Sequence, residues 1–181
     1  MPATTPVPDT SSPAPYAYAG ANPIERFVRR SAGWRPVSWF YARALHRIDR
    51  WIWRASGERA MFSAWLSGLP VVLLTTRGAR TGAPRTSPLL GVPDGEAIIV
   101  IGSNYGQSRH PAWVFNLRAH PAAELRFEGR ERAVMARELT GDERGAAWIR
   151  AGRIYPAWAA YRQRAAPRVI RVFRLEPAPA G

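Results

Sequence analysis

Between Leu69 and Ile101 three short apolar runs are separated by two tight turns. A parallel pairing needs a crossover of a dozen or more residues, so runs spaced this closely must pair as antiparallel hairpins. The first run, Leu69-Pro70-Val71-Val72-Leu73-Leu74-Thr75-Thr76, stops at Arg77-Gly78-Ala79-Arg80-Thr81-Gly82-Ala83-Pro84-Arg85. The second, Ser87 to Val92, contains Pro88, which cannot donate to a ladder and so belongs on an edge or at a bulge, where free backbone could face a ligand. Asp94-Gly95 is a strong hairpin signal, and Ala97-Ile98-Ile99-Val100-Ile101 is a β-branched third strand. The first turn sets three guanidinium groups and two glycines between strands. Gly78 and Gly82 permit positive φ, so successive N–H groups could point at one oxyanion while the arginines fork onto it. The same turn is equally compatible with an ordinary hairpin whose charges are solvated.

Downstream, Gly102-Ser103-Asn104-Tyr105-Gly106 leads to a helix over His110–Arg118, with Pro111 suited to its first turn. Strands are expected over Ala123–Phe127, Arg132–Arg137 and Arg168–Leu175. Helix is expected from Thr140, an N-cap with Glu143 three residues on, and again over Tyr155–Arg164. About six short strands, mostly hairpin-linked, with a few helices argue for an α+β chain built on an antiparallel barrel.

Composition removes several chemistries. Cys is absent, which excludes disulfides, thiolate metal sites and cysteine nucleophiles. Every basic residue other than His is Arg, so neither a lysine Schiff base nor the P-loop lysine can form. No G-x-G-x-x-G, H-E-x-x-H or G-x-S-x-G motif occurs, and the three His are too scattered for a metal site. A net charge of +13 over 181 residues calls for an anionic partner, whether nucleic acid, membrane surface or polyanionic small molecule.

Residues 1–23 are rich in Pro, Ala, Thr and Ser and read as a disordered tail without a signal peptide, so export is not expected. Residues 24–66 read as a helical region. Within 37–54, Val37, Phe40, Tyr41, Ala44, Leu45, Ile48, Trp51 and Ile52 recur at helical spacing, opposite Arg43, Arg47, Arg50 and Arg54. Trp39 and Trp53 border the two faces, and His46 falls among the arginines. Such a helix packs its stripe on the domain with its arginines solvated, or lies on an anionic membrane surface. No apolar run approaches the ~20 residues that span a bilayer.

The order of motifs resembles the deazaflavin-dependent nitroreductase family, also called deazaflavin-dependent quinone reductases. It is carried by Leu74–Thr76, Gly78–Arg85, Pro88-Leu89, Gly102–Gly106, His110–Leu117 and Tyr155–Tyr161, and covers about Leu69 to Glu176. The resemblance implies a split β-barrel of the flavin-reductase or pyridoxamine-phosphate-oxidase type over 67–177, with an N-terminal helical extension. It also implies coenzyme F420 as cofactor, and hydride transfer to a quinone, nitroaromatic or related acceptor by a cytoplasmic enzyme, peripheral at a membrane if 37–54 touches lipid. Hydride chemistry suits a chain lacking the usual catalytic constellations, because the cofactor carries the reaction. Carried over by position, Arg80, Thr81, Gly82 and Arg85 would hold the phosphate or acidic tail, and Pro88 and Leu89 would present backbone to the ring. Ser103, Asn104 and Gly106 would line the cofactor loop, with Trp113 and Asn116 on the following helix. Tyr155, Trp158 and Tyr161 would form an aromatic wall for the acceptor, or else a core stripe. The family often has a further basic residue where Ala79 stands, leaving Arg77 to take its part or a weaker grip. Leu90 and Trp158 each replace a Tyr found in some members, which bears on the acceptor. An FMN-binding split barrel and a non-catalytic basic module are the alternatives, and nucleic acid is not expected under the resemblance.

If the arginine face of 37–54 meets anionic lipid, each arginine contributes about 1 kcal/mol near the surface and salt releases the protein. Sedimentation with vesicles at low salt should show retention on anionic but not neutral lipid. Equal partitioning would leave that stretch as ordinary packing.

Overall fold

The computed structural model describes residues 16–34, 36–37 and 68–179. The amphipathic stretch at 38–54, with His46, lies outside them, as does the tail before Tyr16. Among the described residues six strands form a closed barrel: β1 (Val71–Arg77), β2 (Pro84–Asp94), β3 (Ala97–Ile101), β4 (Ala122–Phe127), β5 (Arg130–Glu138) and β6 (Val172–Pro177). Around the barrel the order is β1-β2-β3-β6-β5-β4, and every pairing is antiparallel. Helices are α1 (Pro23–Ser31), α2 (Ala112–Ala119), α3 (Gly141–Ile154) and α4 (Ala157–Ala165). No helix among them is long and apolar enough to cross a membrane.

Two apolar cores share β3, which explains why Ile98 to Ile101 are buried on both faces of the strand. Ile98 and Val100 point into the barrel with Val72, Leu74, Leu125, Val134, Phe173 and Leu175. Ile99 and Ile101 point outward, beneath Ala147, Ala151, Ile154, Trp158 and Tyr161 of α3 and α4. Helix α2 closes one barrel end, inserting Trp113, Val114 and Leu117 into the inner core.

Several local expectations shift. Pro111 occupies the N-cap of α2, outside its first turn. Thr140 is the N-cap of α3 but its hydroxyl makes no cap bond, and the Glu143 carboxylate, which would complete a capping box, instead pairs with Arg137 at 2.8 and 3.1 Å. A capping box forms instead at α1, where Asn22 and Glu25 satisfy each other's backbone N–H at 2.8 and 3.1 Å. That helix starts at Pro23, and the described part of the expected tail, from Tyr16, is tied down by the Tyr16 hydroxyl bonding Glu128. Strand β6 begins at Val172, not Arg168, since the preceding residues are spent on the loop after β3: the Arg171 carbonyl accepts from Gly102 N at 2.8 Å.

Gly91 is where β2 passes closest to its neighbours. A Cβ there would lie 2.6 Å from Cγ1 of Val72 and 2.8 Å from Cγ2 of Ile98, both buried and β-branched. Overpacking costs about 1–3 kcal/mol, more than the 0.4–1 kcal/mol that Gly→Ala gains through the unfolded chain. Gly91→Ala should therefore lower the urea midpoint with the slope unchanged, and a raised midpoint would contradict this packing.

Candidate functional site

Antiparallel order brings the C-terminal ends of β1 and β3 to the same end of the barrel, the end plugged by α2. β2 pairs with β1 from Pro84 to Leu90. It pairs with β3 only from Gly91 to Asp94. Among the described residues its edge from Pro84 to Leu90, carrying Pro88 and Leu89, thus has no strand partner on the β3 side. The loop Gly102–Gly106 departs where that edge becomes free, and the barrel is split there.

The arginine turn is pinned from behind. Gly78 N donates to the Ala83 carbonyl at 2.9 Å, Gly82 N to the Gly78 carbonyl at 2.8 Å, and Ala83 N to the Thr81 hydroxyl at 3.4 Å. Gly82 has φ +69°, and a Cβ on it would meet the Arg77 guanidinium at 3.7 Å. Asn116, 7% exposed, accepts from Ala79 N through Oδ1 at 3.0 Å and donates through Nδ2 to the Thr76 hydroxyl at 3.0 Å. Asn116 is therefore occupied in holding the turn. Trp113, 4% exposed, sits in the barrel core with its ring edge-on to Phe173 at 5.8 Å. Arg77, Arg80 and Arg85 are exposed, and among the described residues none meets a carboxylate.

Across the mouth, Asn104, Tyr105 and Gly106 all have positive φ, at 47°, 54° and 78°. The two non-glycine residues cost of order 1–3 kcal/mol each in such a conformation, so the surroundings must impose it. Gly106 is obligatory twice over, since a Cβ would also lie 3.0 Å from the Tyr161 carbonyl and Arg164 Cβ. Asn104 Nδ2 donates to the Arg109 carbonyl at 3.0 Å. Arg168, to which the sequence reading gave no role, donates to the carbonyls of Gln107, Gly102 and Ser103 at 2.9, 3.1 and 2.8 Å. Its NH1 also reaches Nδ1 of His110 at 3.2 Å. Because a guanidinium can only donate, this contact requires His110 to be neutral with its proton on Nε2. Burial first, then the cations of Arg168, Arg171 and Arg118, hold its pKa below the ordinary 6.5, with Glu138 opposing them.

Tyr155, Trp158 and Tyr161 lie in the outer core at 6%, 3% and 2% exposure. The Tyr161 hydroxyl donates to the Ala32 carbonyl at 3.1 Å, so the 2.9 Å contact between the two phenols uses the proton of Tyr155. Of the two arrangements open to these rings, the geometry is that of the core stripe, one layer behind the loop: Tyr105 packs edge-on against Tyr161 at 6.1 Å.

This architecture is a split β-barrel of the flavin-reductase-like type. The model of the F420H(2)-dependent quinone reductase family matches residues 45–177, and the chain belongs to that family. An F420H(2)-dependent quinone reductase of Mycobacterium tuberculosis H37Rv is 38% identical over 70 residues, which are 39% of this chain and 47% of that protein. The chain spans about half the length of such relatives. A solved structure of an F420-H2 dependent reductase, FDR-A, is 36% identical with a TM-score of 0.55 over 59% of this chain and 94% of its own. A solved domain-swapped dimer is 30% identical with a TM-score of 0.57, over 72% and 98%.

Removing the Asn116 amide takes the acceptor from the Ala79 N–H and one of two partners from the Thr76 hydroxyl, which keeps its bond to the Arg85 carbonyl at 3.3 Å. Asn116→Ala should lower stability by about 1–3 kcal/mol and speed hydrogen exchange at Ala79. Unchanged exchange would show that the turn holds itself.

Proposed function

We propose that the chain is an oxidoreductase that uses reduced coenzyme F420 to reduce a quinone, nitroaromatic or related small acceptor. The observation that carries this is a pinned glycine turn bearing three exposed arginines that meet no carboxylate among the described residues, set at the mouth of a split barrel. Those features fit the ligand: the N–H groups of Arg80 and Thr81 have no acceptor among the described residues and, with Arg77, Arg80 and Arg85, suit an anionic tail. When bound, the reduced deazaflavin supplies the hydride.

The remaining work falls to the chain itself. Arg80, Thr81, Gly82 and Arg85 would grip the anion, Arg77 taking the part of the basic residue missing at Ala79. Pro88 and Leu89 would offer free-edge backbone to a planar ring, and Ser103, Asn104 and Gly106 would bound its other side. Asn116 and Trp113 act from behind, fixing the turn and the end of the barrel. Tyr155, Trp158 and Tyr161 support the loop, and an acceptor would meet Tyr105 before it met them. Family membership weighs against the FMN-binding and non-catalytic alternatives. Peripheral contact with a membrane rests on the arginine pattern of 37–54 alone.

Arg85→Ala should weaken coenzyme F420 binding by about 1–3 kcal/mol, the usual loss for a charge-assisted contact. Fluorescence titration measures this, and an unchanged dissociation constant would remove the turn from the site.

A further inference from the structure

One side chain holds both ends of the loop that bounds the mouth. Arg168 spreads its planar fork over the carbonyls of Gly102, Ser103 and Gln107, which bracket the three positive-φ residues. A lysine ammonium has no fork with which to reach three separated carbonyls at fixed angles. The remaining direction of NH1 ends on Nδ1 of His110, an acceptor only while the imidazole is neutral.

We propose that Arg168 is a positioning residue that fixes the loop Gly102–Gln107 for cofactor binding, and that His110 makes this grip sensitive to pH. The proposal rests on the coenzyme F420 reading for what the loop binds, but the brace itself is a property of the free protein.

The groups facing His110 decide the sign. Arg168 and Arg171 approach from the segment before β6, Arg118 from α2, and Glu138 from the end of β5. Glu138 is already shared between Arg118 at 3.4 Å and Arg171 at 2.9 Å, so a new imidazolium would face a net cationic wall. The Phe115 ring, edge-on at 5.9 Å, offers the imidazole no charge to offset it. Because the folded protein keeps His110 below its ordinary value of 6.5, the contribution of the neutral pair is complete above 6.5. It is lost as pH falls from there through the lower folded-state value. Protonation removes the acceptor for Arg168 and repels it, releasing the carbonyls that hold the strained turn.

The test uses the full chain. In isotope-labelled protein without ligand, the Gly106 amide resonance should move with the same midpoint as the His110 ring, identified by its loss in His110→Gln. That variant keeps an acceptor at every pH, so its Gly106 amide should not titrate in this range. A wild-type Gly106 amide indifferent to His110 overturns the switch. Coenzyme F420 titrations between about pH 5 and about pH 8 then compare the two proteins, so that ionisation of the ligand itself is common to both. If acid leaves about a tenth of the loops competent, wild-type affinity falls about tenfold relative to the variant. An equal fall in both overturns the link to binding. Arg168→Lys should bind about tenfold more weakly at neutral pH while still folding, and wild-type affinity in that variant overturns the positioning role. Should Arg168→Lys fail to fold, the His110→Gln comparison decides. Wild-type protein that binds no coenzyme F420 at any pH, with Gly106 still following His110, overturns the functional reading and not the brace.

Discussion

The structure depends on a mismatch of strand lengths. β2 runs from Pro84 to Asp94 and β3 only from Ala97 to Ile101, so their ladder stops at the Gly91–Val100 pair. A barrel closed along its full height would leave no backbone free to meet a ligand. Here Val72, Ile98 and Val100 pack the inner core around Gly91, while the upper half of β2 has one edge unpaired among the described residues. Pro88 falls on that half, where a missing N–H costs no ladder bond to β3. Stability and access are thus assigned to different halves of one strand.

Charge follows the same division. Arg126 pairs with Glu131 at 2.9 Å, Arg137 with Glu143 and Glu176 at 2.8 and 3.4 Å, and Arg174 with Asp94 at 3.3 Å. Arg150 also meets Asp94. The exposed pairs among these add little to stability, and together they leave the barrel wall with its charges matched. Among the described residues Arg77, Arg80 and Arg85 meet no carboxylate, so the turn keeps its positive charge.

Much of the barrel was legible because its signals are local. Alternation, Asp94-Gly95 and β-branching each report on a few neighbouring residues, and the pairings they implied are those observed. The site was legible as motifs but not as roles. Asn116 and Thr76 are separated by 40 positions, and nothing local says that the amide faces the turn instead of the ligand. Arg168 read as the first residue of a final strand, its only other signal being Pro167 before it, which hints at a break. The Tyr155-Trp158-Tyr161 stripe fitted a wall and a core equally by periodicity, and its burial against Ala32 of the N-terminal segment depends on a contact 129 positions away that no local pattern reports. Roles set by contacts between distant segments are written in no single stretch.

That N-terminal segment is therefore more than an appendage. Arg29, 2% exposed, donates to the carbonyls of Tyr16 and Gly68 at 3.0 and 2.8 Å, tying α1 to the residue that leads into β1. A buried guanidinium is tolerated only when its donors are used, and here burial lowers its pKa while Glu25 opposes that shift. At the other end of α1, Ala32 and Gly33 present carbonyls to the Tyr161 hydroxyl and to Arg164 at 3.1 and 2.6 Å. Arg164 also donates to the Tyr105 carbonyl at 3.3 Å and stacks on the Tyr161 ring at 5.0 Å. A continuous set of contacts thus runs from the start of β1 through α1 and α4 to the loop at the mouth. Whatever displaces α1 must disturb Arg164, and Arg164 holds the middle of the loop whose two ends Arg168 holds.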